Sequence, residues 1–282
     1  MSLDQSFESE EEEEQGEKEM TFIEHLEELR WHILRAVGAI GVFTVLAFVF
    51  LDFIYSKIIM GPAKVDFWTY RMMCKLGNQL GVDGLCIKEF DFSLISTEVS
   101  GQFAMAMMSG LIIGLLFAFP YAFYEVWRFI APGLKDSERK AARFAVFWVS
   151  LLFFSGVLFG YYVVAPLAIN FLANFQLDPS IKNTFTIDSY ISILATLTIA
   201  CGITFQLPVV VYVLSTLGVL TPEFMRQYRK HAFVVILIVA GVITPSPDIT
   251  SQILVALPLT ILYEVSILVS ANVVKKRLKA ME

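Results

Sequence analysis

Charge is scarce in this 282-residue sequence, and histidine and cysteine are scarcer still. Asp, Glu, Lys and Arg together make up 17% of the residues, with three histidines and three cysteines. Each shortage excludes something. There is no HExxH pair on a helix, no aspartate pair within an apolar run, and no serine accompanied by a histidine there. There is also no Gly-rich nucleotide loop and no Cys/His cluster at metal-ligand spacing. The sequence therefore predicts no enzyme, no cofactor, no metal and no nucleic-acid partner. A cleavable leader is not expected at the N-terminus, because leaders are poor in the acids that crowd this one.

Apolar residues fill the space that charge leaves. They reach 56% of the chain, phenylalanine alone numbers 25, and the mean hydropathy is +0.66. A soluble domain of this size would show helices with one apolar stripe. Here the runs are apolar on every side, as when lipid is the solvent. The pattern predicts an all-α polytopic membrane protein with six transmembrane helices, over about residues 33–51, 103–127, 144–165, 187–217, 232–243 and 249–271. Before the first, Phe22, Leu26, Leu29 and Ile33 recur at helical spacing among acids. This marks an amphipathic interfacial segment leading into the span. The fifth run is short for a hydrocarbon core of about 30 Å. It must thin the bilayer locally or be sheltered by neighbours. Gly110 with Gly114, and Gly156 with Gly160, form GxxxG spacings suited to close helix packing.

Basic residues set the expected orientation. Arg128, Lys135, Arg139, Lys140 and Arg143 lie between runs two and three, and Arg226, Arg229 and Lys230 between four and five. Lys275, Lys276, Arg277 and Lys279 follow run six, while the alternate short loops carry only Lys182. By the positive-inside rule both termini are cytoplasmic. The loop 52–102 also contains lysines and an arginine, but long loops cross largely regardless of charge.

Three domains follow. Residues 1–19 hold nine acids and one lysine and read as a disordered, solvated tail, leaving about two net positive charges for the rest. Residues 20–272 form the helical membrane domain, and 273–282 a basic cytoplasmic tail. Cys201 lies in an apolar run as a packing residue. Cys74 and Cys86 share the long outer loop, where an oxidising compartment could join them in a disulfide.

Polar groups near or within the spans are the candidate functional residues. Glu28 stands where the first span begins, and Glu138 lies in the loop after the second. Gln206 precedes Pro208 inside an apolar run, where proline frees a carbonyl and a buried amide requires a partner. Glu264 is ionisable within the sixth run and requires a partner or a wet cavity.

Six ordered stretches resemble the TatC family, the signal-peptide receptor component of the twin-arginine protein translocase. They are His25-Leu26-Glu27-Glu28-Leu29-Arg30; Pro120 with Trp127-Arg128-Phe129-Ile130-Ala131-Pro132-Gly133-Leu134; and Glu138-Arg139-Lys140. The others are 166–172, Phe205-Gln206-Leu207-Pro208-Val209, and Thr244-Pro245 with Asp248, Ser251 and Gln252. The resemblance spans about residues 22–271. It implies a receptor in the bacterial cytoplasmic membrane for signal peptides with two consecutive arginines, carried by folded cargo. It further implies single-span partners of the TatA/TatB type, a homo-oligomeric assembly, and the transmembrane proton gradient as energy source. Glu28 and Glu138 carry over as the recognition carboxylates, Phe129, Pro132 and Leu134 as the shape of the loop, and Arg30 and Arg139 as their basic neighbours. Thr244, Asp248 and Gln252 carry over as partner contacts. The chemistry agrees, since adjacent guanidiniums are best met by carboxylates at the headgroup boundary, each accepting two hydrogen bonds. Two positions depart from the family: Gln206 stands where many members have Glu, and Trp31-His32 where basic residues are common.

A small-solute transporter with Gln206 and Glu264 as its midplane site is the alternative from another class. An intramembrane enzyme is disfavoured by the absent catalytic sets.

Overall fold

The computed structural model describes residues 22–81, 86, 93–130, 136–178, 180, 183–244 and 249–279, with the backbone alone for 22–26, 80, 130, 136–145, 249–251 and 277–279. The acidic segment 1–19 lies outside the described residues. Ten helices are labelled here: α1 (Phe22–Val49), α2 (Trp68–Leu80), α3 (Gly101–Ile130), α4 (Asp136–Phe159), α5 (Ala165–Asn174), α6 (Ile187–Thr204), α7 (Leu207–Thr216), α8 (Pro222–Gln227), α9 (Arg229–Ile243) and α10 (Ile249–Lys279). Helical turns of wider pitch, Ile54–Ile59 and Gly160–Val164, follow α1 and join α4 to α5.

Five stretches are long and apolar enough to cross a membrane: Glu27–Val49, Gly101–Phe129, Val146–Asn174, Ile187–Thr216 and Gln252–Lys276. They correspond to expected runs one to four and six. The fifth run is α9, only 15 residues, or about 22 Å at 1.5 Å per residue. The third span extends past 165, because Pro166 sits at the start of α5, where a missing N–H does no harm. The fourth is broken at Phe205–Gln206 ahead of Pro208, the interruption that proline dictates. The last helix continues to Lys279, so much of the basic segment read as a tail is helical.

α1 and α3 run antiparallel. His32 meets Glu125, Thr44 meets Gly114, and Phe48 meets Gly110. α4 and α6 do the same, with Gly156 against Cys201 and Gly160 against Thr198. Both GxxxG spacings are therefore close-packing faces. The face where α1 starts and α3 ends is called the near face below, and its opposite the far face. Ala165, Ala168, Leu197, Ala240 and Leu259 lie in a continuous buried core. Large apolar side chains such as Val42, Phe103, Phe147, Ile238 and Val242 cover the outside, the arrangement expected against acyl chains.

The far face carries structure that periodicity does not reveal. Strand β1 (Ser93–Ile95) pairs in parallel with β2 (Thr184–Thr186), fastening the loop before α3 to the loop before α6. Tyr70 on α2 donates from its hydroxyl towards the carbonyls of Pro62 and Pro166, each at 2.9 Å. Tyr161 and Tyr190 donate to the carbonyls of Ile58 and Ile59. Thr69 hydrogen-bonds the carbonyl of Tyr162. Cys74 and Cys86 are joined by a disulfide, with a Cα–Cα separation of 4.2 Å.

Candidate functional site

The largest concentration of interacting charge among the described residues lies on the near face, where α1 crosses α3. Glu125 is 2% exposed, an expensive position for a carboxylate unless it is paired and hydrogen-bonded. Three groups meet it. His32 donates from Nδ1 to Oε2 at 2.6 Å, the Arg35 Nε lies 3.5 Å from the same oxygen, and the Tyr121 side chain, one turn earlier, lies beside it. His32 is itself buried, and Phe129 packs edge-on against its ring at 6.2 Å between centroids.

Glu28 joins this group loosely. Its carboxylate, 37% exposed, lies 3.9 Å from His32 Nε2 one helical turn away, too far for a hydrogen bond. Arg30 and Trp31 beside it face outward. Of the residues singled out from sequence, Glu28 and Phe129 are thus brought around one imidazole. Glu138 and Arg139 lie in the first turn of α4. Its start is tethered within about 20 Å of Ile130 by the length of chain between them. Pro132 and Leu134 lie outside the described residues, as do the side chains of Glu138 and Arg139.

Sequence reasoning missed Glu125 and its hold on His32. The signal was present: Glu125 is an ionisable residue near the end of an otherwise apolar run, the pattern that marks an intramembrane carboxylate with a partner to be found.

The remaining polar candidates separate. Gln206 donates from Nε2 to the carbonyl of Val149 at 3.1 Å, while its buried Oε1 has no hydrogen-bond partner among the described residues. Beside it, a groove of about 560 Å3 runs between α4, α7 and α10. Glu264 accepts from Arg229 Nη2 at 2.7 Å, and both are about half exposed. Because Arg229 is the first residue of α9, this pair belongs to a helix end rather than to mid-depth. Gln206 bonds α4 and Glu264 bonds α9, so the two do not form the single midplane site that a solute carrier would need. Thr244 is 3% exposed and donates to the carbonyl of Ala240. Gln252 donates to the carbonyl of Leu237, tying α10 to α9. Asp248 lies outside the described residues. Among the described residues there is no group of His, Cys, Asp and Glu that could hold a metal.

The family model described as Sec-independent protein translocase protein (TatC) matches residues 24–258. The chain belongs to the TatC family. The TatC protein of Blattabacterium sp. subsp. Periplaneta americana (strain BPLAN) is 40% identical over 261 residues, covering 92% of this chain and 98% of its own length. That of Carboxydothermus hydrogenoformans is 34% identical over 90% of this chain and 94% of its own. A crystal structure described as the twin arginine translocase receptor TatC matches with a TM-score of 0.64 and 30% identity, covering 89% of this chain and 99% of its own. This TatC-family chain is therefore a protein-translocase membrane component and not an enzyme. That membership also removes the solute-transporter alternative.

Proposed function

We propose that this chain is the signal-peptide receptor of a twin-arginine translocase. In this reading it sits in a bacterial cytoplasmic membrane with six spans, the short α9 being the fifth, and with both termini cytoplasmic. The near face is then the cytoplasmic one. Glu28 and Glu138 receive the two arginines of an incoming signal, Phe129, Pro132 and Leu134 shape the approach, and Arg30 and Arg139 flank it. The observation that carries the reading is the partly exposed Glu28 carboxylate near the start of α1, beside the same imidazole that Phe129 packs against and within a short tether of the helix bearing Glu138. A guanidinium is suited to such a site because its planar fork gives a carboxylate two parallel hydrogen bonds, which an ammonium cannot.

TatA/TatB-type single-span partners dock, in this reading, near Thr244, Asp248 and Gln252. Thr244 is buried and both it and Gln252 are bonded internally. Contact with a partner helix therefore falls to the exposed neighbours on α9, Ile238 and Val242. Assembly into a homo-oligomer belongs to the same proposal, as does the proton gradient as energy source.

The test is site-specific photo-cross-linking from a probe placed beside the arginine pair of a twin-arginine signal peptide to this protein in native membranes. Glu28→Ala and Glu138→Ala are expected to abolish binding of that peptide while the protein still inserts. Undiminished cross-linking of the signal to both variants overturns the assignment.

A further inference from the structure

We propose that Glu125 is a positioning residue that holds His32 away from Glu28 and so keeps the Glu28 carboxylate open to an incoming guanidinium. The inference rests on the receptor reading above and adds a residue to that site. Its basis is the asymmetry of the contacts made by one imidazole. His32 Nδ1 is 2.6 Å from Glu125, whereas Nε2 is 3.9 Å from Glu28. Glu28 and His32 are four residues apart on one helix, the spacing at which opposite charges readily pair. Freed from Glu125, the His32 ring is a tethered internal hydrogen-bond partner beside Glu28, competing with any arginine from outside.

The hold on the ring is built from several sides. Glu125 comes from α3, is itself 2% exposed, and is fixed by Tyr121 and Arg35. Phe129, one turn further on α3, braces the imidazole edge-on. Arg35 stands seven residues from Glu28, nearly two turns along α1, and its Nε also donates to the Trp31 carbonyl, a bond that does not depend on Glu125. The charged and titratable groups of the cluster are thus Glu28, His32 and Arg35 from α1 and Glu125 and Tyr121 from α3. A purely structural Glu125 would glue the two helices and nothing more. A residue that restrains a competitor has a different signature: deleting the competitor as well should undo the damage.

The experiment measures the affinity of full-length protein for a synthetic peptide bearing two consecutive arginines and an apolar segment. Glu125→Ala is expected to weaken binding about tenfold, within the range for coupled neighbours. The double variant Glu125→Ala with His32→Ala is expected to recover most of that loss, since the side chain that competes for Glu28 is then gone as well. If Glu125→Ala does not accumulate, Glu125→Gln keeps the shape and removes the charge. A loss of about threefold, again recovered by His32→Ala, is then expected. Unchanged affinity in the single variant, or a double variant as weak as the single or weaker, overturns the proposal. Glu28→Ala is measured alongside. If it binds like the unaltered protein, the receptor reading of Glu28 fails together with this proposal. If it abolishes binding while Glu125→Ala has no effect, only the positioning role fails.

Discussion

At Gly156 a single added carbon would lie 2.7 Å from the Cys201 carbonyl oxygen and 2.8 Å from Phe205 Cβ. Neither neighbour can yield easily, one being backbone and the other the root of a packed ring. At Gly38 on α1 the same carbon would meet nothing within 4 Å. Gly156→Ala is therefore expected to destabilise the protein by about 1–3 kcal/mol through overpacking. Gly38→Ala is expected to be neutral or to stabilise by about 0.5–1 kcal/mol, as glycine is a poor helix former. Thermal unfolding of the two variants in the same detergent separates these outcomes. Spacing made the glycine faces of α3 and α4 legible in the sequence, since GxxxG on an apolar helix has one obvious use. The role of Glu125 was not legible in that way. Its meaning depends on which side chain of a distant helix stands opposite, and no local pattern encodes that the partner is His32.

Tyr70 shows what an element can owe to one hydroxyl. It is 1% exposed, and through it α2 is anchored to Pro62 behind it and to Pro166 at the start of α5. Tyr70→Phe leaves both carbonyls without that donor and is expected to loosen the far-face cap by about 1–3 kcal/mol. Hydrogen exchange or limited proteolysis within residues 68–80 would report it, with the spans unaffected. Burial raises the Tyr70 hydroxyl above its ordinary value of 10.0. The folded state thus keeps a proton that the unfolded chain has lost. This contribution is full below about pH 10 and declines as the pH rises through the folded value. The cap is accordingly expected to open in alkali, and the Phe variant to lose that alkaline step. The helix break was legible where proline imposed it, at Pro208, whereas the third span ran on through Pro166 beyond its expected end. The β1–β2 pairing was not, because three-residue strands in polar loops carry no period, and their partnership exists only after the helices have assembled.

For the molecule as a whole, the number and placement of apolar runs were legible because lipid demands helices apolar all round. Extents were harder: amphipathic ends at α4 and α10 continue the helix beyond the point where hydropathy falls. Orientation rests on basic residues and is testable directly. Single cysteines placed in a cysteine-free variant at position 57, before α2, and at position 276, at the end of α10, are expected to react with a membrane-impermeant maleimide from opposite sides. In intact cells position 57 should label and position 276 should not, and inverted vesicles should reverse the result. Labelling of both from one side contradicts the proposed topology.

The β1–β2 pairing also imposes a timetable. Ser93 is partnered by Thr184, so β1 leaves the ribosome 91 residues ahead of its mate. At roughly 5–20 residues per second, that is an interval on the order of 5–20 seconds. During it, α1 and α3 must wait in the bilayer as a hairpin sustained by Gly114 against Thr44 and by the His32–Glu125 pair. The far-face clasp closes only once the second pair of spans has followed, so the first hairpin has to be competent by itself during synthesis.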